Sequence, residues 1–186
     1  RAGEHIVAPQ SNELAPWGCY EGSEAKRLGI ENMAETCVQG RAVMIDLHAH
    51  FGSCRKAVGY EDLMWVMEND KVEVEPGDMA CFYTGWGDVI IEMRRDVDMK
   101  KLDDAYLGLD GRDERLLQWV SDSGVAALIS DNYAVELLPA RALSGQYPAM
   151  PRHEHCLFKL GVHLGEIWYL TDLAEWLRAN QRSRFL

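Results

Sequence analysis

The chain has 186 residues, 47% of them apolar and six of them tryptophan, enough for one domain with a substantial buried core and too much for a disordered tail. Its formal charge of −11 lacks the basic footprint that draws proteins to nucleic acid or to an anionic membrane, so neither is an expected partner. No run approaches the roughly 18 apolar residues of a membrane-crossing helix, and no signal-peptide pattern opens the chain. Its five cysteines, Cys19, Cys37, Cys54, Cys81 and Cys156, form no CxxC pair; a soluble, cytoplasmic, acidic enzyme with reduced thiols is expected.

A single domain is expected over residues 1–186, irregular over 1–22 and α/β over 23–186. Pro9, Pro16, Gly18 and Gly22 predict the irregular opening, and Glu24 to Leu28 a short helix. From Gly40 the pattern changes. Ala42 to Leu47 is a short apolar run suited to a buried strand, and Tyr60, Leu63, Met64 and Met67 then recur at helical spacing. Val72 and Val74 lead through the turn Glu75-Pro76-Gly77-Asp78 into a second strand, Met79 to Thr84. Asp110 is a candidate cap for a helix in which Leu116, Leu117 and Val120 share a face and which Gly124 ends. Val125 to Ser130 is the third predicted strand. His153 to Leu160 reads as helix, Gly161 as its stop and Val162 to Trp168 as extended. Thr171 then caps a last helix with Leu173, Trp176 and Leu177 inward. Helices alternating with apolar strands define an α/β class.

Three constellations carry candidate chemistry. In Asp46-Leu47-His48-Ala49-His50, strand periodicity places Asp46, His48 and His50 on one face, the spacing of an amidohydrolase metal motif. Such a barrel needs about 250 residues, and a plain strand end is the simpler account of these histidines. The second constellation is His153 through Glu166. Imidazole nitrogen and carboxylate oxygen are zinc and manganese donors, and a helix feeding a strand brings distant groups together. His153 and His155 lie about 200° apart on a helix and compete for one role. His163 falls on the opposite strand face from Glu166 and is not expected to join it. The third is Ser130-Asp131-Asn132-Tyr133-Ala134-Val135-Glu136, polar groups at a strand end, where α/β folds place binding residues and where Asx turns also occur. Trp86, ending the preceding strand in the same way, is a candidate for stacking on a planar substrate if exposed and a packing residue if not.

The runs Gly40 to Asp46, Pro76 to Trp86, Ser130 to Glu136 and His153 to Glu166, in this order, resemble the cyclase family of metal-dependent hydrolases that contains bacterial kynurenine formamidase and isatin hydrolase. The resemblance spans about residues 28 to 186. It implies a mixed sheet with flanking helices of the swivelling β/β/α type, assembly as homodimers or homotetramers, and a small-molecule substrate. It further implies a divalent metal ion, zinc or manganese, held by His153 and Glu166, with His155 as the fallback ligand.

The activity implied is hydrolysis of a carbon–nitrogen bond in an amide, formamide or cyclic imide by metal-activated water. The family motif His-x-Gly-Thr-His-x-Asp-x-x-x-His, which supplies the other ligands and a proton-transfer histidine, does not occur in this sequence. No catalytic residue is therefore assigned, and an internal piece of a longer polypeptide is expected. An amidohydrolase fragment using His48 and His50 and a non-catalytic cyclase-like domain are the alternatives.

Overall fold

The computed structural model describes residues 30–145 and 147–186. The expectations for residues 1–22 and for a helix at Glu24 to Leu28 fall outside them. The chain divides into two compact units, residues 1–39 and residues 40–186. In the first, the described structure is helix α1 (Ile30–Thr36). The second carries the rest.

Its centre is a five-stranded sheet of β1 (Ala42–Asp46), β3 (Met79–Tyr83), β5 (Ala127–Ser130), β6 (His163–Gly165) and β7 (Arg184–Phe185), ordered β6-β5-β3-β1-β7. The first four run parallel and β7 lies antiparallel on β1, which makes the sheet mixed. A parallel pair of short strands, β2 (Lys56–Val58) and β4 (Leu107–Leu109), forms a second sheet.

Strands covered on both faces read as unbroken apolar runs, as Ala42-Val43-Met44-Ile45 does. Val43, Ile45, Ala80, Phe82 and Leu128 face one core with Leu63 and Val66 of α3 (Tyr60–Asp70) and Leu116 and Val120 of α6 (Glu114–Ser123). Ala42, Met44, Cys81, Tyr83 and Ile129 face the other, beneath Ala174 and Leu177 of α8 (Thr171–Ala179). Cys37, Cys54, Cys81 and Cys156 are free thiols. Among the described residues no helix is long and apolar enough to cross a membrane.

Several local expectations are corrected. The first strand stops at Asp46, whose Oδ1 accepts the Ala49 N–H at 2.9 Å and starts helix α2 (Leu47–Phe51), so His48 and His50 are helical rather than strand residues. The cap of α6 is Asp113, not Asp110, which instead accepts the Arg112 N–H within the preceding turn. Leu170 occupies the cap position of α8, and Thr171, its first residue, donates its hydroxyl to Asp88. Trp176 faces solvent at 52% exposure, and Ala174 takes the inward place beside Leu177. The predicted helix His153–Leu160 is a short α-turn, α7 (Pro151–His153), widening into a π-helix over Glu154–Leu160. Gly161, at φ 71°, ends it in the left-handed conformation that glycine adopts at no steric cost.

One carboxylate fastens two of the covering helices. Asp113 Oδ1 accepts from Arg115 and Leu116 at the start of α6, and Oδ2 accepts from Tyr60, the first residue of α3, at 2.7 Å. Burial raises the Asp113 pKa, but these three N–H groups and the Arg115 charge outweigh it and hold the carboxyl below its ordinary 3.8. A group depressed in the folded state contributes above its unfolded pKa and loses that contribution as pH falls through the folded one. Asp113→Ala is expected to cost about 1–2 kcal/mol near neutral pH in denaturant titration. The gap to wild type should narrow as pH drops below 3.8.

Candidate functional site

Parallel strands aim their carboxyl ends at one edge of the sheet, where α/β proteins gather functional groups. Here that edge carries Asp46 at the end of β1, Thr84 after β3, Asp131 after β5 and Glu166 after β6. Ser130, Asp131 and Asn132 are buried and hydrogen-bonded. The Ser130 hydroxyl donates to the Phe82 carbonyl at 3.1 Å. Asp131 Oδ1 accepts from the Thr84 amide at 2.8 Å and its hydroxyl at 2.7 Å, and Oδ2 accepts from Gly87 in the first turn of α4 (Trp86–Met93). Burial raises the Asp131 pKa against the pull of these donors.

His153 and Glu166, thirteen positions apart, meet at this edge. His153 Nε2 lies 2.9 Å from Glu166 Oε1. The contact has the distance of an ion pair without the alignment of a hydrogen bond, and buried Oε1 has no hydrogen-bonding donor. On the other side of the ring, Nδ1 stands 2.8 Å from Glu136 Oε1. An ionised carboxylate only accepts, so Nδ1 carries the proton and Nε2 is the nitrogen left for other work.

Glu136 is fully buried and was not singled out from sequence. Besides the imidazole, it accepts the backbone N–H groups of Arg152 and His153 at 3.2 and 3.1 Å. The charge of Arg152, itself fully buried, lies close enough to interact with it. The Glu136 segment approaches closely because β4 and the turn after it carry glycine. A Cβ at Gly108 would stand 2.7 Å from the Leu137 nitrogen, and one at Gly111 would collide with Glu136 Oε2.

Of the competing histidines, His155 turns to α6, with Nε2 2.9 Å from the Ser121 hydroxyl, and burial lowers its pKa. His163 lies exposed in β6. His48 and His50 diverge. His48 contacts the Ser53 hydroxyl at 3.1 Å and lines a cavity of about 720 Å³ with Gly85, Asp88 and Thr171. His50 pairs with Asp70 at 2.9 Å and lines a separate cavity of about 650 Å³ with Asp46 and Arg178. The helix at Leu47–Phe51 separates the two rings that strand geometry was expected to align. Neither cavity is lined by His153, Glu136 or Glu166.

Trp86, the candidate for stacking on a substrate, is 7% exposed, which is the packing alternative of the two that its sequence left open. Its Nε1 donates to the Leu102 carbonyl at 2.9 Å, and its ring packs on Tyr106 and Tyr133. The ring open to solvent in this group is Tyr133, at 40% exposure, stacked on Tyr106 at 4.7 Å.

Among the described residues, no group of three or more His, Cys, Asp or Glu side chains is placed to hold a metal ion. Glu136 and Glu166 address opposite ring nitrogens and cannot share one ion with His153. His153 and Glu166 do fit as a pair. Two donors about 2.1 Å from one cation stand about 3.0–3.4 Å apart, near the observed 2.9 Å, and the orphaned Oε1 is an acceptor without a hydrogen-bonded proton. A carboxylate on the far nitrogen of a ligating histidine is the usual support for such a ligand.

The sequence profile of the family described as Putative cyclase matches residues 12–137. The chain therefore belongs to this family, as the runs up to Glu136 implied. Among curated proteins no relative matches. A crystal structure of a novel cyclase superposes with a TM-score of 0.69 and 28% identity, covering 87% of this chain and 50% of its own. Isatin hydrolase A from Labrenzia aggregata, bound to benzyl benzoate, aligns with a TM-score of 0.48 and 12% identity over 72% of this chain and 49% of its own. The chain spans about half the length of these solved structures.

Burial alone lowers the His153 pKa, but the Glu136 hydrogen bond and the Glu166 carboxylate outweigh it and push it from 6.5 up to about 9. A histidine raised on folding stabilises the protein fully below its unfolded pKa, and that contribution disappears as pH rises through the folded value. In metal-free protein the His153 ring is expected to titrate near 9 by NMR. Glu136→Gln should bring that midpoint down and shrink the loss of thermal stability between pH 6.5 and 9.

Proposed function

We propose that the protein is a metal-dependent hydrolase of a carbon–nitrogen bond in a small amide, formamide or cyclic imide, built on the swivelling β/β/α variant of the mixed α/β fold. The observation that carries this reading is the His153 Nε2 to Glu166 Oε1 approach of 2.9 Å, with Glu136 steering the ring from its other nitrogen. Cyclase-family membership supports it. His153 and Glu166 are the proposed donors to zinc or manganese, and groups beyond these two complete the site in the whole polypeptide. A bound divalent ion would supply a water acidified toward neutrality and polarise the carbonyl under attack.

The chain's own part is then specific. Glu136 keeps the proton on Nδ1, so that Nε2 is the nitrogen that would offer a lone pair once its own proton is displaced. Glu166 brings a negative charge to the same point from the β6 end. Cytoplasmic location and homodimeric or homotetrameric assembly belong to the same proposal, the latter tested by light scattering on the intact protein.

Zinc and manganese content of the intact protein, measured by mass spectrometry after reconstitution, is expected to reach at least one ion per chain. His153→Ala and Glu166→Gln should each weaken binding at least tenfold, and His155→Ala should not. Because an ion must displace the Nε2 proton, uptake should release a proton, and affinity should rise with pH up to about 9. A panel of formanilides, anilides and cyclic imides, assayed with each ion, reads the substrate class. No retained metal and no turnover of any panel member would overturn the proposal.

A further inference from the structure

Two β-branched residues hold a backbone conformation that their side chains disfavour, and both adjoin the carboxylates of the His153 centre. Val135 has φ 57° and precedes Glu136; Ile167 has φ 56° and follows Glu166. Among the described residues, the other non-glycine positions with positive φ are Cys37, Lys71, Arg94 and Gln181, none of them β-branched. Left-handed valine and isoleucine are genuine outliers, and such strain persists only where surrounding contacts over-determine it.

The same residue supplies contacts at both kinks. Asn132 is fully buried and uses all its polar groups. Its Oδ1 accepts from Val135 N–H at 2.7 Å and from Ala134 N–H at 3.3 Å. Its Nδ2 donates to the Leu107 carbonyl in β4 at 2.8 Å, its backbone carbonyl accepts from Ile167 N–H at 2.8 Å, and its own N–H donates to the Ser130 hydroxyl at 3.3 Å. At Val135 the clamp is closed from the other side, where the carbonyl accepts from Leu109 N–H at 3.0 Å.

We infer that Asn132 is a positioning residue for the His153 centre. Its side chain fixes the left-handed kink at Val135 and so sets Glu136 on Nδ1, while its main-chain carbonyl holds the kink at Ile167 beside Glu166. An ordinary turn-forming asparagine closes its own loop; the side chain of this one also ties that loop to Leu107 in β4. Aspartate at 132 would keep both accepted bonds but set an oxygen against the Leu107 carbonyl. Alanine would release Val135 and leave the buried Leu107 carbonyl without its donor. The inference rests on the proposed metal site only for the role of Glu166. The hold on Glu136 stands without it.

The test uses the intact protein with two readouts, the hydrogen-bonded His153 Nδ1–H proton signal in metal-free NMR spectra and the dissociation constant for Zn²⁺. Asn132→Ala is expected to abolish the downfield Nδ1–H signal and weaken Zn²⁺ binding tenfold or more. Val135→Gly and Ile167→Gly keep every bond of the clamp and relieve the strain at one kink each, so both should keep the Nδ1–H signal, whereas Asn132→Asp, which sets an oxygen against the Leu107 carbonyl, should broaden or lose it.

A folded Asn132→Ala protein with an unchanged signal would overturn the inference. If that variant does not fold, an unchanged signal in Asn132→Asp would overturn it instead. If wild type binds no Zn²⁺, the metal reading fails by itself and the Nδ1–H signal still decides whether Asn132 positions Glu136.

Discussion

A single imidazole held between two carboxylates is the constraint on which the candidate site depends. Two acids brought to one partly buried point repel each other, and neither is stable there without a cation or several donors. Glu136 meets that requirement with two backbone N–H groups, the His153 Nδ1 proton and the nearby charge of Arg152. Glu166 does not meet it to the same degree. Its Oε1 faces Nε2 at close range with poor alignment, which leaves this carboxylate oxygen without a hydrogen-bonding donor. The asymmetry separates a supporting carboxylate from one available for a ligand.

The fold produces this arrangement by converging three separate pieces of chain. β6 delivers Glu166 from the sheet edge, the segment after β5 delivers Glu136, and the helical turn at Pro151–His153 supplies the ring between them. The helix widens to π geometry at the residue after His153, a deviation often found at functional sites. Buried polar residues at the β5 end cross-link these pieces. Ser130 ties to β3, Asp131 to the turn into α4, and Asn132 to β4 and to the segment beyond β6. A fully bonded network of this kind rigidifies its surroundings.

Much of the core was legible because burial on both faces leaves an unbroken apolar signature, which is why β1 and β3 lie where their sequences predict. Gly124 and Gly161 marked helix ends because the left-handed cap has few other solutions. His153 and Glu166 were legible as donor types flanking a helix-to-strand passage. Glu136 was not, because its aim comes from the kink at Val135, and neither strand nor helix periodicity registers a positive φ. His48 and His50 misled for the converse reason. Strand periodicity extends from Asp46 on to His50, where an N-cap has already turned the chain into a helix. Trp86 opens α4 beyond the end of β3 instead of closing the strand, and the Leu102 carbonyl and two tyrosine rings draw its indole inward, a tertiary effect that no local pattern encodes.

In the proposed site the same electrostatics would make proton and metal ion alternative occupants of one position. With Nδ1 committed to Glu136, a cation enters the Nε2 side only by displacing the proton that the two carboxylates hold there, up to about pH 9. An imidazolium satisfies the two negative charges with one positive charge, whereas a divalent ion brings two and leaves the ring neutral. A divalent ion would therefore be the better electrostatic match, and the proton is the occupant available without one. Under the proposed function, a centre built this way has a reason to keep a carboxylate on each ring nitrogen: one would fix the tautomer and the other receive the cation. The cost is repulsion between the acids when the position holds neither, and a rigid buried scaffold at the β5 end is the structural means of bearing it.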